Sequence, residues 1–307
     1  MKAVESEIQA LIAERDDLKQ HCLRLQGLLS NLGHPAGHFY SPVVDVNDPF
    51  AVRAVRNRLA APLTSGIRFD REAVKAMLRK LAIHSAEFPF PRDRDEAHRF
   101  YFANPFFGCH DASVYFAMLL EFRPRRVIEI GSGFSSRLLL DTNERFFAGS
   151  IDITLIDPSL DSLEDLDPPA AVKLLSCPLQ EVPLPLFAEL EANHVLFIDS
   201  SHVSKTGSDV NFYLFQILPL LKPGVLVHIH DIFWPFEYLP EWVLGEKRSW
   251  NEAYLLQAFL QYNDAFEILY WNNFVFHSLA ADLSESMPLC LENEGGSIWL
   301  RRLATAS

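Results

Sequence analysis

The segment Val127-Ile-Glu-Ile-Gly-Ser-Gly-Phe-Ser-Ser136 decides how this sequence folds. Its first four residues form a short, largely apolar run, which is typical of a buried strand. Gly131 and Gly133 follow, and glycine lets the chain reverse tightly and lets backbone N–H groups approach a ligand. Helical spacing near Ser136–Arg145 predicts a helix next, whose N-terminus would offer free donors and partial positive charge. The segment therefore predicts a strand, a turn and a helix that hold a nucleotide-like cofactor.

The same alternation of strands and helices continues along the chain. Short apolar runs predict further strands at Ile153–Ile156, Val172–Leu175, Val195–Ile198 and Val225–Ile229, with a last pair at Phe266–Trp271 and Ser297–Leu300. Helical spacing predicts helices at Arg71–His84, Asp111–Phe122, Leu184–Ala192, Asp209–Leu221 and Asn251–Tyr262. Strands that alternate with helices favour βα units and a parallel sheet. We expect an α/β fold with a Rossmann-like, doubly wound, seven-stranded sheet, mostly parallel with an antiparallel last strand.

A helical extension is predicted before this domain. Apolar side chains recur at heptad spacing, at Val4, Leu11, Leu18 and Leu25 in one row and at Ile8, Cys22 and Leu29 in the other. Arg15 interrupts the second row. Four such heptads indicate either a short coiled coil, which would make a homo-oligomer, or a helix docked on its own domain. We divide the chain into an N-terminal helix at 1–30, a helical and loop cap region at 31–125, and a cofactor-binding domain at 126–303.

Composition restricts the partners of this protein. The formal net charge is −13, and phosphate binding depends on Lys and Arg, so we expect no nucleic-acid partner. No run of 18 apolar residues predicts a membrane span, and the N-terminus resembles no signal peptide. The four cysteines lie far apart with no CxxC pair, which favours reduced thiols. We expect a cytoplasmic protein that acts on a small molecule.

An acidic residue, Asp157, closes the second predicted strand in Leu155-Ile-Asp-Pro158. The glycine turn differs from the dinucleotide fingerprint G-x-G-x-x-G, because Ser136 stands at the place of the third glycine. A glycine turn after one strand, with an acid after the next, is typical of an S-adenosylmethionine (SAM) site. The alternative is a glycine turn of another nucleotide-binding fold.

Residues from about 100 to 303 resemble class I SAM-dependent methyltransferases of the bacterial small-molecule type, including the methyltransferase 24-like group. The resemblance is carried by the glycine segment, by Phe197-Ile-Asp-Ser-Ser-His202 and by Leu221-Lys-Pro-Gly-Val-Leu-Val-His-Ile-His-Asp231. It implies that SAM is the cofactor and that Asp157, where many relatives carry Glu, holds its ribose. It also places Ser176–Glu181 by the adenine. It implies contacts with the methionine part from Glu129, Gly131, Gly133, Ser135 and Ser136.

Polar residues gather where the fourth and fifth predicted strands end: Asp199, His202, His228, His230 and Asp231. Ligands of open α/β sheets bind at that edge. The resemblance extends to divalent-metal-dependent O-methyltransferases, in which an Asp follows strand four and an acid–amide pair follows strand five. We predict that Asp199, His230 and Asp231 bind a divalent metal (Mg, Mn or Fe), since carboxylates suit Mg and Mn while imidazoles suit Fe. His228 is expected to be a core histidine.

The expected catalytic residues are His202, His230 and Asp199. A metal would hold two substrate oxygens and lower the pKa of a hydroxyl group. Without a metal, His202 or His230 would act as the general base. Asp209 and Asp111 are expected to cap the helices that follow them.

Aromatic loops are expected to frame the substrate. Phe233-Trp-Pro-Phe-Glu-Tyr238 would cover the mouth of the site through Trp234 and Tyr238. The opposite wall is assigned to Tyr40 and Tyr101, with His38, Asn104 and Phe106 as further candidates. Ordinary hydrophobic packing is the alternative for each of these residues.

Three functions remain open at this point. The first is methyl transfer from SAM to an oxygen of a small molecule, such as a sugar or a secondary metabolite. The second is a non-haem iron oxygenase or hydroxylase on a methyltransferase-like fold. The third is a scaffold without activity, and the intact set of Gly131, Gly133 and Asp157 argues against it.

Overall fold

The computed structural model describes residues 2–30, 32–60, 65–159, 166 and 168–304. These residues divide into two compact units. The first is the described part of Met1–Arg56 together with Pro240–Ser249, and the second is the described part of Asn57–Leu239 together with Trp250–Ser307. Among the described residues, no helix has the length and apolar character that a membrane crossing needs.

The described part of the first unit contains two α-helices and a π-helical turn at Glu241–Gly245. Helix α1 runs from Lys2 to Ser30, where the heptad pattern predicts it, and α2 covers Pro49–Arg56. The described residues between them, 32–48, form a series of turns, and the backbone N–H of Val44 donates a hydrogen bond to Oγ of Ser249 over 3.1 Å. The heptad side chains of α1 remain exposed to solvent.

The second unit is built on one seven-stranded sheet. Its strands are β1 (Arg126–Ile130), β2 (Asp152–Ile156), β3 (Lys173–Leu175), β4 (Val195–Ile198), β5 (Leu226–Ile229), β6 (Phe266–Trp271) and β7 (Ile298–Arg302). The spatial order is β3-β2-β1-β4-β5-β7-β6. The first five strands pair in parallel, whereas β7 pairs antiparallel with both β5 and β6. The predicted Rossmann-like sheet with an antiparallel last strand is therefore confirmed.

The helices of the second unit are α3 (Arg71–Ser85), α4 (Cys109–Phe122), α5 (Phe134–Phe147), α6 (Pro185–Ala188), α7 (Asp209–Phe212), α8 (Glu252–Leu260), α9 (Asn272–Ser278) and α10 (Ala280–Ser286). Two of them differ from their predictions. Helix α6 is one turn long, and Asn193 (φ 67°) then turns the chain into β4. Beyond α7 the predicted helix continues as a wider π turn and a 3₁₀ turn, because Pro219 cannot donate the helical hydrogen bond.

The three central strands β1, β4 and β5 are almost entirely buried. Parallel strands covered on both faces read as continuous apolar runs, which is why the sequence located them. His228 lies inside β5, stacked on the Phe197 ring at 3.8 Å and hydrogen-bonded to Oγ of Ser297 at 2.8 Å, as expected for a core histidine. The carboxyl ends of these strands meet at one edge of the sheet.

The predicted capping role of Asp111 is wrong. Helix α4 begins at Cys109 with Gly108 as its N-cap, so Asp111 lies inside the first turn. The buried Asp111 carboxylate instead accepts hydrogen bonds from the backbone N–H groups of Gly296 and Ser297 and from the Asn272 side chain, each within 3.1 Å. It therefore fixes the chain where it enters β7, beside the carboxyl end of β5.

Candidate functional site

The turn after β1 requires glycine at Gly131. This residue has a φ of +82°, in the left-handed region, and its N–H donates to the carbonyl of Ile156. A Cβ at Gly131 would lie 2.1 Å from the backbone oxygen of Asp199. Gly133 differs, because a Cβ there would meet no atom within 4 Å. The first glycine joins two strand ends, and the second borders open space.

Glu129 anchors the start of α5 from inside the sheet. Its Oε1 accepts hydrogen bonds from the hydroxyls of Ser135 and Ser136 at 2.6 and 2.7 Å. Burial raises the pKa of Glu129 to about 8, against the lowering effect of both hydroxyls. Oε2 is buried without a hydrogen-bond partner among the described residues. An unpaired buried polar atom beneath the glycine turn fits a site that a ligand completes.

Asp157 lies at the wall of a cavity. Its two carboxylate oxygens accept the backbone N–H groups of Ser132 and Ser159 at 2.8 and 2.7 Å. The cavity has a volume of about 400 Å³, and its walls include Gly131, Asp157, Pro178, Leu179, Gln180 and Asp199. That volume falls in the range of small-molecule and cofactor sites, about 300–1,000 Å³. Each oxygen of Asp157 retains acceptor capacity for a ligand hydroxyl.

The structure brings three predicted residues together where β4 and β5 end. We refer to Asp199, His202 and Asp231 as the Asp–His–Asp group. Nε2 of His202 lies 3.3 Å from Oδ1 of Asp199 and 3.5 Å from Oδ2 of Asp231. The three potential ligand atoms lie within 4.8 Å of one another. His230 stands beside this group, with its Nε2 3.5 Å from Oδ1 of Asp231.

Sequence reasoning missed Glu252, which holds the imidazole of His202. Nδ1 of His202 lies 2.8 Å from Oε2 of the fully buried Glu252. Oε1 of Glu252 accepts the hydroxyls of Ser200 and Tyr213, both at 2.6 Å. Burial alone lowers the pKa of His202, but its hydrogen bonds to Asp199 and Glu252 outweigh burial and raise that pKa well above its ordinary value. The indole of Trp250 lies over the imidazole at 4.2 Å.

Two members of the Asp–His–Asp group have left-handed backbones, His202 with a φ of 59° and Asp231 with a φ of 57°. Such conformations are uncommon for residues other than glycine and are concentrated at functional sites. The His202 carbonyl accepts the N–H groups of Asn251 and Glu252 at the start of α8. The strained turn is thus tied to the helix that supplies Glu252.

The predicted capping role of Asp209 is also wrong. Ser208 caps α7, since its hydroxyl accepts the N–H of Asn211. The Asp209 carboxylate turns back and accepts the backbone N–H and the hydroxyl of Ser201 at 2.8 and 2.6 Å. Asp209 therefore shapes the loop after β4, which lines the cavity.

The two predicted substrate residues on the loop after β5, Trp234 and Tyr238, are both buried. The Trp234 ring packs against three aromatic rings, those of Phe69, Trp271 and Phe274. The Tyr238 hydroxyl accepts the N–H of Ala253 at 3.0 Å. This packing fixes the loop beside α8, and contact with a substrate stays a prediction for both residues.

The other predicted substrate residues lie on two loops. In the second unit, Tyr101 meets the ring of Phe134 edge-on at 5.4 Å, and the exposed Phe106 lies 6.1 Å from the same ring. The Asn104 side chain hydrogen-bonds within its own loop. In the first unit, the rings of Tyr40 and His38 lie 5.5 Å apart. Substrate binding by these residues remains a prediction.

Comparisons with known proteins add to this geometry. Residues 128–232 match a family model described as a methyltransferase domain. An uncharacterized protein of Archaeoglobus fulgidus is 32% identical over 183 residues, which cover 56% of this chain and 81% of that protein.

Several solved structures are similar to this chain. One is the O-methyltransferase TomG from Streptomyces achromogenes, involved in tomaymycin synthesis and solved with SAM (13% identity, 78% of this chain and 92% of that one, TM-score 0.41). Another is the apo-structure of CmcI-N160 (20%, 65% and 73%, TM-score 0.39). A third is the plantazolicin methyltransferase BpumL with S-adenosylhomocysteine, SAH (13%, 84% and 92%, TM-score 0.41).

Substitution of the two glycines of the turn should have different effects, one on the stability of the fold and the other on cofactor binding. Gly131→Ala forces a Cβ into the Asp199 carbonyl and a strained φ, so we expect it to lower the free energy of unfolding by about 3 kcal/mol or more. Gly133→Ala meets no atom and should stay within about 1 kcal/mol of the wild type, yet weaken SAH binding. Urea denaturation and calorimetric titration measure the two effects. Equal losses of stability would contradict the contact at Gly131.

Asp157 should control cofactor affinity. Asp157→Ala removes the acceptors for Ser132 and Ser159 and for the expected ribose hydroxyls, so SAH affinity should fall at least about tenfold, since each hydrogen bond to a charged group contributes about 1.5–3 kcal/mol. Calorimetric titration of SAH measures the change, with Asp264→Asn, an exposed carboxylate before β6, as the matched control. Unchanged affinity in Asp157→Ala would rule out this role.

Proposed function

Because this chain belongs to the class I SAM-dependent methyltransferases, we propose that it methylates an oxygen atom of a small molecule, such as a sugar or a secondary metabolite. The observation that carries the proposal is the position of the Asp–His–Asp group. Asp199 belongs both to this group and to the wall of the cavity that Asp157 lines. A substrate hydroxyl at the group would therefore lie beside the cofactor.

Oxygen is favoured over nitrogen because of what the protein has to supply. A hydroxyl group must lose a proton as its oxygen is methylated, whereas a neutral amine already offers its lone pair. Two carboxylates and an imidazole at the strand ends supply proton acceptors or metal ligands for that task. Orientation of the acceptor is the other requirement of the reaction.

The residues of the glycine turn fit SAM as the cofactor. When bound, SAM supplies a methyl group on a positively charged sulfonium. Asp157 and Asp199 line the cavity with carboxylates, which would attract this cation. Gly133 leaves the space that the methionine part needs, and the apolar Pro178 and Leu179 suit a flat adenine.

The same strand ends fit a divalent metal. Asp199, His202 and Asp231 would hold it, with His230 next to them, and two carboxylates with imidazole nitrogen suit Mg²⁺, Mn²⁺ or Fe²⁺. When bound, the metal would lower the pKa of a coordinated hydroxyl. A metal held by the Asp–His–Asp group would also orient two neighbouring oxygen atoms of the substrate.

Glu252 gives His202 its role. The Glu252 carboxylate receives donors from Ser200 and Tyr213, so the Nδ1–H of His202 is assigned as its third donor. Nε2 then points to Asp199 and Asp231, and the raised pKa of His202 keeps a proton on it. A bound cation would displace that proton and would meet the lone pair of Nε2. Carboxylate–histidine pairs of this kind fix the tautomer and orientation of a ligand.

The iron oxygenase that the sequence left open is not favoured, because residues 128–232 match a methyltransferase domain. A cytoplasmic location is part of the proposal and is supported by four free, widely spaced cysteines. Tyr101, Trp234 and Tyr238 are retained as proposed contacts with the small-molecule substrate, and for Tyr40, in the first unit, substrate contact stays a prediction from the sequence.

The function can be tested with SAM labelled with ¹³C at the methyl group. The enzyme is incubated with a small-molecule extract of the cells that naturally make it, and products are examined by carbon NMR. We expect a new labelled methoxy signal that disappears when SAH is added as a competitor. A labelled N-methyl or S-methyl signal would contradict methyl transfer to oxygen.

Removal of the metal should abolish methyl transfer. We expect EDTA to lower the rate about 100-fold or more, with recovery on addition of Mn²⁺ or Mg²⁺, because loss of one outer-shell partner of a metal ligand already costs about 10–100-fold. Asp231→Asn should weaken Mn²⁺ binding in calorimetric titration, whereas Asp264→Asn should not. Full turnover after chelation, with no metal found by elemental analysis, would leave the alternative in which His202 or His230 acts as the general base.

A further inference from the structure

Helix α1 carries an apolar seam that nothing in the described chain covers. We propose that this seam joins two copies of the chain as a parallel, in-register, two-stranded coiled coil. The inference is independent of the reaction that the second unit performs. It rests on the exposure, spacing and charge pattern of α1 itself.

The seam is exposed along its whole length. The exposed fractions are 58% for Val4, 49% for Ile8, 60% for Leu11, 59% for Leu18, 47% for Leu25 and 61% for Leu29. In heptad notation, the d positions are Val4, Leu11, Leu18 and Leu25, and the a positions are Ile8, Arg15, Cys22 and Leu29. Side chains spaced in this way along an α-helix form the interface of a left-handed coiled coil. Four heptads are enough for such an interface to form.

The outer face of α1 does not continue this apolar character. It is made mainly of polar and small residues, including Ser6, Gln9, Asp16, Asp17, Gln20 and Arg24. Leu23 is the large apolar exception and lies there alone, with an exposed fraction of 56%. The contrast between the two faces favours a second helix on the seam over burial of α1 on all sides.

Charges beside the seam select the parallel orientation. Glu14 occupies a g position and Lys19 the following e position, and these positions face each other across a parallel pair. Because the pair has twofold symmetry, this attraction occurs twice. Glu14 of each chain lies near Lys19 of the other chain. In an antiparallel pair, g faces g and e faces e, so Glu14 would face His21 and Lys19 would face the apolar Ile12.

Arg15 sets the register. It is the charged residue in the a row, and its guanidinium hydrogen-bonds Asp16 of the same helix at 2.7 Å. A single polar residue in such a row specifies register at some cost in stability. In the in-register pair, Arg15 of one chain lies opposite Arg15 of the second chain and next to Glu14 of that second chain. A shift by one heptad would set Arg15 against the apolar Ile8 or against Cys22.

Cys22 reports the orientation directly. It lies exposed in the a row, so a parallel pair in register places the two Cys22 thiols opposite each other. In the antiparallel pair that matches a rows to d rows, Cys22 would face Leu11. The two Cys22 residues would then lie about 16 Å apart at 1.5 Å per residue, beyond the roughly 7 Å between Cα atoms that a disulfide spans.

The first test compares two matched variants of the full chain. Light scattering after size exclusion should give twice the 34.9 kDa of one chain for the wild type. Leu18→Glu on the seam should become monomeric, whereas Leu23→Glu, equally exposed on the outer face, should stay dimeric. SAH titration of both variants checks that the second unit is folded. A monomeric wild type, a trimer, or an equal response of the two variants would overturn the proposal.

The second test uses diamide, which accepts the two hydrogens that two thiols lose as a disulfide forms. Diamide should cross-link the wild-type chain into a covalent dimer, and Cys22→Ser should abolish the cross-link. Cys109 and Cys290 are buried, and Cys177 is partly exposed, so a cross-link that persists in Cys22→Ser would be assigned to Cys177. Ile8→Cys in the Cys22→Ser background should restore the cross-link. A dimer that neither Cys22 nor Ile8→Cys can cross-link would overturn the parallel register.

Discussion

The close approach of Gly131 to the backbone carbonyl of Asp199 is the constraint on which the rest of the site depends. It lets the turn after β1 touch the end of β4, so one residue, Asp199, borders the cavity that Asp157 lines and also lies close to His202. Any side chain at Gly131 would push these strand ends apart. The proposed sites of the methyl donor and of its acceptor therefore share one edge of the sheet.

Around this contact the protein keeps several acidic groups out of water. Burial of a charge is unfavourable unless hydrogen bonds replace the lost solvent. Glu129 receives two serine hydroxyls, Glu252 receives two hydroxyls and an imidazole, and Asp111 receives two backbone N–H groups and an amide. These networks fix the directions of the side chains that a ligand would meet. The left-handed backbone of His202 is held by the N–H groups of Asn251 and Glu252, which donate to its carbonyl.

The sequence predicted the sheet well, because a strand that is buried on both faces consists of an unbroken run of apolar residues. It also placed Asp199 and Asp231 correctly at strand ends, which follow from the runs themselves. Glu252 could not be found in this way, since it follows His202 by 50 residues and reaches it only through the packing of α8. Nor could spacing show that His202, rather than His230, completes the Asp–His–Asp group, because the left-handed turn at His202 decides it.

The central claim is that the methyl donor faces the Asp–His–Asp group. The most direct measurement is a crystal structure of the protein with SAH and Mn²⁺. It should show the ribose at Asp157, the adenine against Pro178 and Leu179, and the sulfur facing Mn²⁺ held by Asp199, His202 and Asp231. A sulfur directed away from this group, or SAH bound outside the cavity, would contradict the claim.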